Sequence, residues 1–399
     1  MTRAQAPAPS PASLPAARRD GDRRRPLEHR RVTFPAAAPP KLSPITQEPR
    51  RRLLGLLRDW HEVYRPAASP RCQKCGRLRI KHVVTVRRRA DRAHFDGVMR
   101  CGLIWECPDC QGHIKAERAL EVEKARAWHV ERYGPDSAVM LTLTAAHYAR
   151  HELEPLRAGV ADAWRRFIQG RGWLELRQSA GLVGSIRALE VTHGPNGWHP
   201  HLHVVLFVRR PVGEPFRLAA LARWQLAVRL ALGAEHVPDD RHGAQLTTCD
   251  ADARYLSKLG LELSAPATSK AAKGDNRTPL DILAAFVATG DCAEAELYRA
   301  YADAMKGARQ LTWSKGLKTA AGIEDKTDEQ LIAGDPGAEQ EVARISGPQF
   351  DVLRTIPGAL TDILELAEVG TEAAVFAYID AVLAEYGRAC ATLAAERRA

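Results

Sequence analysis

The stretch WHPHLHVVLF, residues 198–207, sets His199, His201 and His203 on alternate positions of an otherwise apolar run. Side chains along a strand point alternately to its two faces, so His201 and His203 share one side while Leu202, Val204, Leu206 and Val208 share the other. The apolar side needs cover from another layer, which leaves the histidine side for chemistry. Ahead of it runs a second strand-like segment, SIRALEVTH (residues 185–193), joined through the turn cluster GPNG (residues 194–197). The two read as an antiparallel hairpin. With Glu190 opposite His203 and Thr192 opposite His201, the carboxylate joins the histidine face, and a one-residue slip would remove it. Two imidazoles and one carboxylate with further positions open suit Mg²⁺ or Mn²⁺.

Cysteine placement is the second signal. Five of the eight cysteines fall between residues 72 and 110, as RCQKCG followed by CGLIWECPDC. The C-x-x-C pairs at the two ends have the spacing of thiolate knuckles around a structural Zn²⁺ and select Cys72, Cys75, Cys107 and Cys110. A disulfide framework is disfavoured, because the chain shows no secretory apolar segment and is far larger than a stapled mini-domain. His82, His94 and His113 are outside candidates as ligands, and the isolated Cys249, Cys292 and Cys390 read as small hydrophobes.

Charge divides the chain. From Ala321 onward 6 basic residues stand against 15 acidic ones, giving −9, so residues 1–320 carry +19 against the whole chain's +10. The basic part has the electrostatics of a DNA binder, with Arg87, Arg88 and Arg89 as candidate phosphate contacts in the cysteine-rich region, alongside Arg77, Arg79 and Lys81. With 45% hydrophobic residues and no apolar run approaching about 18, the chain is expected to be soluble, with no membrane partner.

The organisation reads as α+β. Residues 1–50, rich in Pro, Ala and Arg, form a disordered basic arm, and a helix plus zinc module occupies 51–115. A catalytic domain spans 116–265, a helical DNA-contacting extension 266–320 and an acidic helical tail 321–399. Helices are expected over residues 51–64, 113–133, about 156–167 and about 216–232, because apolar residues recur there at helical spacing or the run lacks Gly and Pro. A central antiparallel sheet is then covered by helices on one face, with the other left to admit DNA.

At these residues the chain resembles the HUH endonucleases, specifically the rolling-circle replication initiators of bacterial plasmids and phages. MLTLT (140–144) looks like the family's first motif strand, the histidine hairpin like its metal-binding motif, ARYLSK (253–258) like its tyrosine motif, and KGARQLTWSKGLK (306–318) like a later family segment. The resemblance covers residues of about 72 to 320. It implies an HUH-type fold in a bacterial cytoplasm and cleavage of one strand of origin DNA. Tyr255 would attack the scissile phosphate, forming a 5′-phosphotyrosine and leaving a 3′-OH for a host polymerase, with a host helicase as a further partner. Lys258, three residues on, would share the helix face of Tyr255 and offset phosphate charge. The family's cysteine pattern selects Cys75, Cys101, Cys107 and Cys110 in place of the set containing Cys72. Lys315 and Lys318 would touch DNA, and Trp313 would either stack on a base or anchor a core. Glu262, one more turn along, would either activate a water for the terminating cleavage or be a solvated helix residue. An HUH transposase or relaxase shares this chemistry on another substrate, and a zinc-dependent DNA-binding regulator would keep the fold without cleavage.

Overall fold

A computed structural model describes residues 68–89, 92–249, 276–333 and 339–396. The basic arm, the helix expected over 51–64, Tyr255, Lys258 and Glu262 lie outside the described residues. In chain order the principal elements are β1 (Val83–Arg89), β2 (Arg92–Asp96), α1 (Pro108–Tyr133), β3 (Ala138–Thr144), α2 (Leu153–Phe167), α3 (Arg171–Ala180), β4 (Gly184–Gly194) and β5 (Gly197–Phe207). They continue with α4 (Glu214–Leu232), β6 (Ala244–Thr248), α5 (Pro279–Thr289), α6 (Cys292–Ala304), β7 (Leu311–Trp313), β8 (Gln340–Ser346), α7 (Gly347–Leu353), α8 (Ala359–Val369) and α9 (Glu372–Glu396).

The central sheet has five strands in the order β6-β3-β5-β4-β7, antiparallel throughout. The histidine strand therefore lies in the middle, with both of its edges paired to neighbours. Its alternation works as the sequence dictates. Leu202, Val204 and Leu206 join Leu141, Leu143 and Val191 on one face, packed under Val160, Ala163 and Phe167 of α2 and Leu221, Trp224 and Val228 of α4. Burial of Leu202 and Leu206 contributes about 1.5–3 kcal/mol each, so this layer fixes which way the strand faces.

The opposite face is divided rather than bare. Met140, Ile186, Ala188, Val205 and Phe207 are buried against Val122 and Ala125 of α1 and against Leu317, Ala321 and Ile323. The long helix thus covers the apolar half of the face expected to lie open. The polar half, bearing Thr142, Thr144, His199, His201 and His203, stays open to a cleft. α1 itself runs uninterrupted because its 26 residues hold proline at the start, where no amide partner is required, and it ends at Gly134, with φ of 89°.

The hairpin register differs from the expected one by two residues. Glu190 pairs with His201, Ala188 with His203 and Thr192 with His199. The reason is the length of the turn: Gly194 pairs directly with Gly197, so Pro195 and Asn196 alone make the connection. A two-residue shift keeps the facing of every side chain, and Glu190 stays with the histidines.

A second sheet, in the order β2-β1-β8, joins the cysteine-rich region to the acidic carboxyl-terminal segment. Val84 pairs with Ile345 and Val86 with Ala343, both pairs buried, while Phe95 meets Phe350 edge-on at 5.6 Å. Helices are present over 359–369 and 372–396, but residues 340–346 form a strand where the sequence suggested only helix. Among the described residues no helix is long and apolar enough to cross a membrane.

Candidate metal centres and the histidine cleft

Four cysteines converge next to the start of α1. Cys75 and Cys101 are each followed by a glycine with positive φ, Gly76 at 69° and Gly102 at 66°, the tight backbone that lets two loops fold their thiols inward. Cys107 is the residue before the first turn of α1 and Cys110 lies within it, close to the positive end of the helix dipole. The Sγ atoms of Cys75, Cys101, Cys107 and Cys110 lie within 4.8 Å of one another, and all four residues are buried. Cys75 and Cys110 are 3.4 Å apart, Cys101 and Cys110 3.6 Å, and Cys107 and Cys75 3.7 Å. A tetrahedron of Zn–S bonds of about 2.3 Å has edges of roughly 3.8 Å, so the donor set fits that ion.

Cys72 is buried beside this group, with its thiol pushed up by hydrogen bonding with Cys101, whereas Cys101 is drawn down to about 5 by hydrogen bonds from Cys107, Cys110 and Cys72. Arg100 sits against the cluster. Burial opposes its charge, yet Asp109 and the sulfurs of Cys75, Cys110 and Cys107 hold it above the ordinary arginine range, and it is ion-paired with Asp109. A buried cation beside several thiolates offsets their charge. His94 and His113 pack edge-on at 5.5 Å, outside the four-sulfur group.

The second centre is built by β4 and β5. Glu190 Oε2 lies 3.0 Å from His201 Nε2 and 2.7 Å from His203 Nε2, with side-chain exposures of 11, 12 and 11%. His201 Nδ1 lies 3.2 Å from the carbonyl oxygen of His199, which can only accept, so Nδ1 carries the proton. Nε2 then faces a carboxylate oxygen, with a proton when the ring is charged and with a lone pair when it is neutral. Two lone pairs at 3.0 Å repel unless a cation lies between them, whether a proton or a metal ion. His203 Nδ1 is held by Thr142 Oγ1 at 3.0 Å. Each ring is thus steered from behind by an oxygen, the support that metal-binding histidines receive. Burial works against the charge on Glu190, but His201 and His203 outweigh it through charge and hydrogen bonds, and the carboxyl sits well below its ordinary range.

His201 and His203 open into a cleft of about 570 Å³. Several lining residues carried no signal in the sequence spacing. His147, on the loop after β3, stacks on His199 with centroids 4.4 Å apart, and burial, followed by the charge of His201, lowers His199 to about 3. Tyr148, Asn196, Asp239, His242 and Asn276 complete much of the wall. Below the site, Lys115 of α1 is 1% exposed; burial pushes its amine well below the lysine range, while Glu190 pulls the other way. Its place on the chain, 75 residues before Glu190 in an ordinary helical run, gave nothing to find it by.

The basic residues singled out as phosphate contacts are placed unevenly. Arg87 reaches Asp96 at 3.4 Å, and Arg88 donates to Gln340 Oε1 and to the carbonyl of Ala367. Arg89 closes β1 opposite Arg92. Arg77 donates to the carbonyl of Arg354, Arg79 pairs with Asp351 and Lys81 with Asp96, so the module spends these cations on its own fold. Lys318 is paired with Glu121 and Asp325, with its ammonium 5.2 Å from the Trp313 ring, whereas Lys315 is exposed. Trp313 itself is half-buried in β7, against Ile186.

A family model described as "Replication protein" matches residues 99–214. A protein named "Protein rep" from Streptomyces lividans is 30% identical over 319 residues, covering 61% of this chain and 69% of that protein. One named "Neomycin resistance protein" from Streptomyces cyanogenus is 32% identical over 151 residues, covering 32% of this chain and 34% of its own length. No solved structure matches. The matched family segment includes Cys101, Cys107, Cys110, Glu190, His201 and His203, and ends before Tyr255.

Proposed function

This chain belongs to the replication-protein family, and from that premise we propose that it initiates rolling-circle replication by nicking one strand of its origin DNA. The observation that carries the reading is the buried convergence of Glu190, His201 and His203, a donor set able to hold a metal ion beside an open cleft. Mg²⁺ or Mn²⁺ bound there supplies polarisation of the phosphoryl oxygens and orientation of the phosphate.

The remaining chemistry belongs to the chain. The phenol oxygen of Tyr255 forms the new bond to phosphorus, the bond from phosphorus to the 3′ oxygen breaks, and the proton lost by the phenol is balanced by one gained at the 3′-OH. Lys258 offsets the charge that develops on the phosphate. The 5′-phosphotyrosine retains the cut end, and the free 3′-OH is a primer for a host polymerase, with a host helicase opening the duplex ahead of it. Cys75, Cys101, Cys107 and Cys110 hold Zn²⁺ as a structural ion, and the +19 charge of residues 1–320 brings DNA to the cleft. Lys315 is exposed for a phosphate contact, whereas Arg87 and Arg88 are engaged with Asp96, Gln340 and the Ala367 carbonyl.

The test uses supercoiled DNA carrying the origin, purified protein and Mn²⁺ or Mg²⁺, with a chelator control. A nucleotide adduct on Tyr255 by mass spectrometry, together with loss of nicking but not of DNA binding in Tyr255→Phe, is the expected result. Metal-dependent nicking that persists in Tyr255→Phe overturns the assignment of the nucleophile.

A further inference from the structure

Tyr148 stands out among the described aromatic residues. It is 44% exposed, it belongs to neither of the buried apolar clusters of the central sheet, and it lines the same cleft as His199, His201 and His203. The loop that carries it is fastened on several sides. Ala146 exchanges two bonds with His236, from its amide to the His236 carbonyl at 2.9 Å and between its own carbonyl and His236 Nδ1 at 2.8 Å. Trp224 Nε1 donates to the carbonyl of Thr144 at 2.6 Å. The His151 amide donates to the Tyr148 carbonyl at 2.9 Å, and the Tyr148 amide donates back to His151 Nδ1 at 3.2 Å. At the tip, Ala149 lies so close to Gly197 that a Cβ on the glycine would come within 2.9 Å of its Cα. The ring is also held from its own side of the loop: the Arg150 guanidinium lies 4.7 Å from its centroid and is ion-paired with Glu235.

An aromatic ring held on an ordered loop at the wall of a cleft offers a flat apolar face to whatever enters the cleft. Bases of a single strand are suited to that, because each has a π-face and stacking on an aromatic side chain does not depend on sequence. The adjacent Arg150 guanidinium, ion-paired with Glu235, packs on the ring, and the support is ordered before the strand arrives, which lowers the entropic cost of binding.

We propose that Tyr148 is the stacking platform for a base flanking the phosphate that is cut, holding the single strand in register with the Glu190, His201 and His203 centre. The inference rests on the nicking reading above and names a strand-binding residue for it. Stacking requires the ring and not the hydroxyl.

The experiment compares full-length wild type, Tyr148→Ala and Tyr148→Phe for binding of a fluorescent single-stranded oligonucleotide and of the matched duplex, with nicking of the origin plasmid followed in parallel. The expected result is that Tyr148→Ala weakens single-strand binding by roughly tenfold with duplex binding unchanged, while Tyr148→Phe behaves as wild type. Equal single-strand affinity in all three overturns the proposal. So does a Phe variant as weak as the Ala variant, which would give the role to the hydroxyl. If wild type nicks the plasmid in either case, the function reading stands and this inference alone falls. If wild type neither binds single strands nor nicks, both fall together.

Discussion

A backbone carbonyl decides what His201 can do. By accepting a hydrogen bond from Nδ1 it orients the ring with Nε2 toward Glu190, and Thr142 Oγ1 holds the Nδ1 side of His203. Removing either imidazole, as His201→Ala or His203→Ala, should abolish metal-dependent nicking while circular dichroism shows an unchanged fold; nicking retained by both variants would move the centre elsewhere. Thr142→Val takes away only the supporting oxygen. It should weaken Mn²⁺ binding by about ten- to a hundredfold, readable by calorimetry, because an unsupported ring is less well oriented and less basic. His94 offers a prediction of another kind. Burial, helped by Arg100, lowers it to about 4, and Glu339 at 3.4 Å does not reverse this. The unfolded chain binds this proton near pH 6.5 and the folded chain only near 4, so the stabilisation is complete above 6.5 and is lost as pH falls from there to about 4. The loss amounts to about 3 kcal/mol on the usual conversion, and thermal melts of wild type and His94→Gln across that window should converge toward the acid end.

Among the elements, the hairpin β4–β5 was the most legible, since three histidines at strict alternation and a Gly-Pro-Asn-Gly turn leave little else for the chain to do. What spacing could not give was the pairing register, which the two-residue turn sets, and the four thiols, where spacing pointed to Cys72 and the family pattern to Cys101. Cys101 is reached by a loop whose Cys-Gly signature resembles that of Cys75, so the glycines rather than the C-x-x-C count carried the geometry. β1 and β8 were hidden for a physical reason: VVTVRRR is too charged to read as half of a buried sheet until carbonyls and carboxylates from elsewhere in the chain are seen accepting from its arginines. Two tests belong at this scale. Cys107→Ser should lower the zinc content and the melting temperature of the amino-terminal module, because structural zinc contributes folding free energy directly; zinc content equal to that of the wild type would refute the ligand set. Gly197→Ala should cost about 1–2 kcal/mol, since φ is 81° and the new methyl meets the Ala149 backbone, and its heat-denaturation midpoint should fall accordingly.

Taken whole, the molecule ties its acidic carboxyl-terminal segment to its basic cysteine-rich region. Arg79 pairs with Asp351, the Ala93 amide donates to Glu368, and the buried side chains of Phe350, Leu353 and Ile363 belong to the helices that follow β8. A chain ending after residue 338 should therefore retain the five-stranded sheet yet expose Val84, Val86 and Phe95, and limited proteolysis should cut it first within residues 83–96. Protection of that segment equal to the full-length protein would show that β8 is dispensable.

The pairing of β1 with β8 also orders events during synthesis. β1 must wait for a strand made much later in the chain, while the hairpin of Glu190 and His201 can close as soon as its own residues emerge. A chain made only as far as residue 338 would carry the histidine hairpin in full while β1 still lacked its partner strand β8.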